Sequence, residues 1–227
     1  MVIIIGFGIS CGEHLTLQGL RMLQACNVVF GPKGAIPPDI LRTIPDFRDI
    51  VKLYQGEGAE LRVAAAVLAE AARGKTVGLC TMGHPLIFDK PAAFLSGECR
   101  ARGIECRIIP GISAVDAVLC ELGYVVGPAG FQAHQALHLH KTQLDAGLPL
   151  FIFRFSELTR HQAIRSKFMA KLSKTYAQSH PVYLVESGHV PNAGSRIEKI
   201  VLGKLKSKLD SAAQEVTLFI PPSVILS

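Results

Sequence analysis

Through the first 122 residues, short apolar runs alternate with stretches of helical spacing, and this pattern most constrains the fold. The runs are 2–5, 28–30, 49–54, the run that opens at Val77, and 105–109. Between the first two, Leu15, Leu17, Leu20, Leu23 and Cys26 recur at roughly helical spacing. A short helix is expected over 39–42, inside the Pro- and Gly-rich stretch 31–47. An alanine-rich helix is expected over 60–73 with Gly74 as its stop. Another spans 90–102, closed by Gly103, and a last one reaches Leu122 with Ser113 as its N-cap. Strands alternating with helices specify an α/β fold, with a parallel sheet and flanking helices.

Residues 77–88, VGLCTMGHPLIF, are the stretch around which this half is organised. An apolar strand runs into Met82-Gly83-His84-Pro85 and then a short apolar exit. Pro85 fixes its own φ and pushes His84 away from helical geometry, so strand and helix cannot join smoothly. Gly83 lets the backbone turn tightly or approach a ligand. A loop at the carboxyl end of a parallel strand is where open α/β sheets place their ligands; the competing reading is an ordinary strand-to-helix turn.

At 227 residues the chain suits one large domain or two small ones. No long uninterrupted apolar run is present, so no membrane span is expected. The opening MVIIIGFG lacks a charged n-region and reads as a first strand, not a signal peptide. The six cysteines show no C-x-x-C spacing, which favours reduced thiols in a cytoplasmic protein. The net charge is +6, and residues 156–210, with ten Lys/Arg against four Asp/Glu, hold all of that excess. A solvated helix face, an anionic substrate or acidic peptide partner, and nucleic acid are the three readings of this basic segment. No nucleic-acid-binding motif accompanies it.

Two nucleotide motifs fail on inspection. Gly6-Phe7-Gly8 opens a β-α-β unit, but the third position of G-x-G-x-x-G is Cys11, and no acidic residue ends the second strand to hold a ribose. Gly74-Lys75-Thr76 resembles a phosphate-loop ending, but position 69 is alanine and the triplet leads out of a helix, the reverse of the required context.

The character changes at Gly123. Gly127-Pro128-Ala129-Gly130 reads as a linker, and 131–140 holds His134, His138 and His140. These could ligate a metal, but with no carboxylate near they read as polar positions on a strand or helix. An apolar strand over 148–155, a basic helix over 157–175, strands over 182–185, 196–201 and 216–220, and a turn at 191–194 complete a mixed α/β unit. The domains expected are therefore 1–122 and 123–227, two α/β lobes whose facing loops form a cleft for a small cofactor.

Together these loops resemble the tetrapyrrole methylase superfamily, the class III S-adenosylmethionine methyltransferases. The resemblance rests on Ile5-Gly6-Phe7-Gly8, Leu15-Thr16-Leu17-Gln18-Gly19-Leu20, Asn27-Val28-Val29-Phe30, Gly83-His84-Pro85-Leu86-Ile87-Phe88 and Pro110-Gly111-Ile112-Ser113-Ala114, in order and spacing over most of the chain. Within the superfamily the chain is most similar to borosin methyltransferases, which methylate backbone amides of a ribosomal peptide. That similarity rests on the histidine of Gly83-His84-Pro85, on Val115-Asp116 after Ser113-Ala114, and on Gly130-Phe131-Gln132-Ala133-His134-Gln135-Ala136. Leu53-Tyr54-Gln55 and Thr217-Leu218-Phe219-Ile220-Pro221-Pro222 also fit.

The resemblance implies a cytoplasmic, homodimeric transferase that binds S-adenosylmethionine, releases S-adenosylhomocysteine and uses no metal. It implies cofactor contacts from Gly6, Phe7, Gly8, Met82, Gly83, His84, Pro85, Phe88, Ser113, Ala114 and Gln132. Tyr54 is assigned an acceptor-side proton or orienting role, the alternative being a rim tyrosine, and Arg62 would balance negative charge on the acceptor. Because the chain stops five residues after Pro222, the expected partner is a separate precursor peptide, as in split borosins, or else a small anionic acceptor. Two departures stand out: Met82 occupies the place of a tyrosine, and the helix over 60–73 offers only Arg62. A tetrapyrrole or corrinoid acceptor, and a catalytically degenerate partner subunit, are the alternatives.

Overall fold

The computed structural model describes residues 1–10, 12–188, 194–209 and 216–223. The chain divides into two compact units, one of Met1–Ala114 and one of Val115–Gly188 with the residues from Gly194 onward. The helix ending at Leu122 thus groups with the second unit, from its second residue on.

In the first unit, strands β1 (Val2–Gly6), β2 (Val28–Gly31), β3 (Phe47–Asp49), β4 (Val77–Thr81) and β5 (Cys106–Ile109) form an all-parallel sheet of order β3-β2-β4-β1-β5. Helices α1 (Leu17–Gln24), α2 (Pro38–Leu41), α3 (Ala59–Ala71) and α4 (Lys90–Ala101) flank it. β1 explains why its sequence is apolar at every position. Val2 and Ile4 pack with Val63 and Val67 of α3 and Leu95 of α4, whereas Ile3 and Ile5 pack with Leu23 of α1. A strand covered on both faces has no wet side and shows no alternation.

Local chemistry sets the helix ends. Thr16 caps α1, its hydroxyl accepting from Gly19 N at 2.9 Å, and Asp89 caps α4, accepting from Ala92 N at 2.8 Å. The glycines expected to stop helices, Gly74 and Gly103, have φ of +80° and +65°.

The third strand departs from the expectation of 49–54. It runs Phe47–Asp49, and Val51–Tyr54 is a 3₁₀ turn. The Asp49 carboxylate accepts from Val51 N at 3.1 Å and turns the chain, after which Leu53 N and Tyr54 N both donate to Ile50 O. An apolar run cannot by itself distinguish such a turn from a strand. Tyr54 therefore ends a 3₁₀ turn, not a strand.

In the second unit, α5 (Ala114–Leu122) is followed by β6 (Gln132–Gln135), β7 (Leu150–Phe153), α6 (Gln162–Thr175), β8 (Pro181–Glu186), β9 (Arg196–Val201), α7 (Leu205–Lys208) and β10 (Val216–Ile220). The sheet order is β6-β7-β10-β8-β9, with β6 and β7 parallel and the other pairs antiparallel. Its core gathers Leu150, Ile152, Leu218 and Ile220 with Phe168 and Leu172 of α6. The basic helix expected over 157–175 is shorter, because Phe155–Arg160 forms a 3₁₀ segment entered through Arg154 at φ +57°. Of the turn expected at 191–194, residues 191–193 lie outside the described residues. Among the described residues no helix is long and apolar enough to cross a membrane.

Candidate active site

Three loops at the carboxyl ends of β1, β4 and β5 meet on bare backbone. A Cβ placed on Gly6 would lie 2.6 Å from Gly111 N, 2.6 Å from Gly83 O and 2.8 Å from Pro85 Cδ. One placed on Gly111 would lie 2.6 Å from both C and O of Gly6 and from Gly83 O. No residue but glycine fits at either position without parting the loops. Past the parallel ladder, Gly83 N donates to Gly8 O at 2.9 Å and Gly8 N to Gly83 O at 3.3 Å, an antiparallel bridge with both glycines at positive φ. The structure thus brings together Gly6, Gly8, Gly83, Pro85 and the Gly111 loop, including buried Ser113 just before α5.

The remaining residues expected to hold the cofactor differ in what they present. Phe7 is in the core beneath the loops, packed with Ile3, Ile5 and Leu23, and its backbone N–H donates to Thr81 O at 2.9 Å, so its side chain presents nothing to a ligand. His84 accepts from Leu86 N through Nδ1 at 3.2 Å, which places the proton of the neutral ring on Nε2. Ala114 opens α5. Phe88 has a φ of +58°, unusual for a residue with a Cβ, and is exposed together with Met82, Leu86, Ile87 and Ile112. Gln132 stands in the second unit, where its side-chain amide clamps one residue's backbone, Nε2 donating to Asp145 O at 2.8 Å and Oε1 accepting from Asp145 N at 2.9 Å.

Beside the three-glycine junction, at the carboxyl ends of β2 and β4, is a partly open cavity of about 280 Å3 lined by Pro32, Val51, Tyr54, Cys80, Thr81, Met82 and Asp89. The hydroxyls of Tyr54 and Thr81 are buried and have no hydrogen-bond partner. Burial first, then the charge of Asp89 and the neighbouring Cys80, push the Tyr54 phenol well above its ordinary value. Tyr54 therefore stays protonated and is unsuited to act as a base at neutral pH. Burial likewise pushes Cys80 up, so its thiol is no nucleophile at neutral pH.

Arg62 is not in this wall. Its guanidinium donates to the backbone oxygens of Glu57 (2.7 Å) and Gln55, tying down the loop ahead of α3. Sequence reasoning missed Thr81 and Asp89. The signals were present: one hydroxyl ending an otherwise apolar strand, and an acidic N-cap directly after the loop.

The three histidines do not form a centre. His134 is in β6, its pKa lowered by burial, His138 is exposed, and no group of three potential metal ligands occurs among the described residues. In the basic segment, Lys208 pairs with Glu198 at 2.5 Å and Arg165 donates to Lys206 O.

This fold and loop arrangement define a family. The model of the tetrapyrrole (corrin/porphyrin) methylases matches residues 1–208, and the chain belongs to that family. Among curated relatives, the methyltransferase/ribosomally synthesized type I borosin cyclic peptide precursor cmaMA of Coprinopsis marcescibilis is 24% identical over 239 residues, covering 96% of this chain and 61% of that protein. Siroheme synthase 2 of Klebsiella pneumoniae is 26% identical, covering 95% of this chain and 47% of that protein. The chain thus spans between about half and three fifths of these relatives' lengths. Among solved structures, uroporphyrin-III-C-methyltransferase from Thermus thermophilus matches with a TM-score of 0.75 at 20% identity, covering 97% of this chain and 91% of that one. A structure of that enzyme complexed with S-adenosyl homocysteine matches with a TM-score of 0.69.

Proposed function

We propose that this chain is an S-adenosylmethionine-dependent methyltransferase whose acceptor is the backbone amide of a peptide. The observation that carries the reading is the cavity beside the glycine junction, with mainly apolar walls, one carboxylate and no Lys, Arg or His among its lining residues. The residues present fit the cofactor. The glycine junction packs the three loops on one another and fixes their course, and the exposed apolar residues beside it, Met82, Leu86, Phe88 and Ile112, suit the adenosine part of the cofactor. Gly6–Gly8, Gly83–Pro85 and Ser113–Ala114 would hold it.

S-Adenosylmethionine, when bound, supplies a methyl group on a sulfonium, ready for in-line displacement. The chain's own contribution is to place the acceptor nitrogen on that line and keep water out. An amide nitrogen becomes nucleophilic as it gives up its proton, and the negative charge left behind rests largely on its carbonyl oxygen until the nitrogen takes the methyl group. Tyr54 and Thr81 carry the two hydroxyls of the lining residues, both buried, so donation to that oxygen requires them to turn into the cavity. Asp89 is the one carboxylate in the wall and the candidate to take the proton, directly or through water. A polycarboxylate tetrapyrrole would meet this carboxylate with no cation in the cavity to offset it. The tetrapyrrole reading draws instead on the siroheme synthase relative and on the basic segment.

The deciding experiment is mass spectrometry after incubating the chain with S-adenosylmethionine. Its own tryptic peptides, an added apolar peptide and uroporphyrinogen III are each searched for one added methyl. A methyl on a peptide nitrogen supports the proposal, whether the peptide is part of the chain or added. A methyl on the macrocycle replaces it. No methyl anywhere, with cofactor still bound, favours the non-catalytic partner, to which Met82 and the withdrawal of Arg62 already point. A homodimeric state, part of the same proposal, is read by light scattering.

A further inference from the structure

The loop between β1 and α1 is held by a side chain outside the set expected to touch the cofactor. Ser10 is buried, and its three polar groups each bond to Glu13 or His14. Its N–H donates to His14 Nδ1 at 3.2 Å, its carbonyl oxygen accepts from His14 N at 3.4 Å, and its hydroxyl donates to the Glu13 carboxylate at 3.2 Å. The two bonds to His14 close a ring in which an imidazole nitrogen takes the part of a backbone carbonyl. With Nδ1 accepting, the neutral ring carries its proton on Nε2. The same side chain abuts Gly8, since a Cβ placed there would lie 2.1 Å from His14 Cβ and 2.9 Å from His14 O. Gly8 is the residue that bridges to Gly83, so His14 backs the first loop where it meets the second. The second loop carries the same device in His84, whose Nδ1 accepts from Leu86 N at 3.2 Å.

We propose that His14 is a positioning residue of the cofactor site: its Nδ1 is the acceptor that holds the buried Ser10 N–H and, through that bond, keeps Gly8 against Gly83. The inference rests on the cofactor reading above and is independent of which acceptor is methylated. Removing the acceptor leaves a buried N–H unmatched, which is costly, and the loop escapes that cost by opening toward water. A ligand that needs the closed loop must then close it again, so the loss appears as weaker binding. Asparagine and glutamine separate this role from mere bulk. Both carry an amide oxygen that accepts. The asparagine oxygen reaches about as far from the backbone as Nδ1 does, whereas the glutamine oxygen reaches about as far as Nε2.

The test titrates the full chain with S-adenosylhomocysteine by calorimetry. His14→Ala and His14→Gln should each weaken binding about tenfold, the effect of one buried N–H left unmatched, whereas His14→Asn should stay within about twofold of the parent. The unmodified chain gives a second reading that does not depend on any variant folding. With isotope-labelled histidine, NMR should show the neutral His14 ring protonated at Nε2 and bare at Nδ1. A proton on Nδ1, equal affinities in the asparagine and glutamine variants, or parental affinity in His14→Ala overturns the proposal. An unmodified chain that binds no S-adenosylhomocysteine refutes the cofactor reading itself, a different result from a chain that binds it equally well without the Nδ1 acceptor.

Discussion

Replacing Gly111 by alanine is the sharpest test of how the candidate site is built. The added methyl would lie 2.6 Å from Gly6 C, Gly6 O and Gly83 O, whereas ordinary contacts begin at 3.4 Å, so three contacts must each open by 0.8 Å. None of the three is a side chain that could rotate away. Overpacking costs about 1–3 kcal/mol, and three rigid backbone contacts place this substitution near the top, about 3 kcal/mol. At roughly 2–4 °C per kcal/mol for a chain of this size, the midpoint should fall by about 6–12 °C. Gly97→Ala is the matched control. It is in the exposed interior of α4 with nothing within 4 Å of the added carbon, and should stabilise by about 0.5–1 kcal/mol through helix propensity. Calorimetry of the three proteins, with and without S-adenosylmethionine, reads both effects, and Gly111→Ala should also weaken the cofactor-dependent rise in midpoint. A Gly111→Ala chain melting within about 2 °C of the parent, with its cofactor response intact, would show that the close approach of the loops is not required.

Three further outcomes follow from the first unit. Buried Glu70 receives Lys75 at 2.6 Å, Arg48 at 3.0 Å and Arg73 at 2.5 Å, and the hydrogen bonds from Lys75 and Arg48 hold its carboxyl down at about 2 against an ordinary 4.5. A depressed carboxyl stabilises the fold above its unfolded value and loses that contribution on acidification. The midpoint difference between the parent and Glu70→Gln should therefore be full above pH 4.5 and shrink between 4.5 and 2; a difference independent of pH refutes the assignment. Tyr54→Phe and Thr81→Val each delete an unpartnered hydroxyl, so without ligand both should be neutral to about 1 kcal/mol more stable in urea. A clear loss in either would reveal a partner for that hydroxyl. Arg62→Ala removes the ties to Gln55 and Glu57, so limited proteolysis should accelerate within 55–58 while the rest of the chain keeps its cleavage pattern.

The loops that make the site were legible because their chemistry is local. A glycine-proline turn, a proline-glycine strand exit and a paired-glycine first turn each force an irregular backbone, and the strand–helix alternation places all three at the same end of one sheet. The third strand was misplaced because an aspartate side chain, a local competitor for backbone hydrogen bonds, ended it early. Tyr54 was legible as a candidate residue, but its character was not. A phenol in a strand-to-helix loop is equally a rim residue in the sequence, and only the tertiary structure buries its hydroxyl without a partner, among the residues that line the cavity. Arg62 shows the converse, since a side chain expected at the acceptor is taken up by two carbonyls of the loop before its own helix.

By itself the sequence determined the α/β class and the order of the loops, both set by hydrophobic periodicity and by residues that restrict their own backbone. The tertiary structure alone decided which of those residues meet. Gly6 and Gly111, more than a hundred residues apart, approach so closely that a Cβ on either would lie 2.6 Å from the other's backbone, and the cavity joins the ends of β2 and β4 with a 3₁₀ turn and the cap of α4. Such meetings depend on strand order, and strand order is not written in the spacing of any one segment.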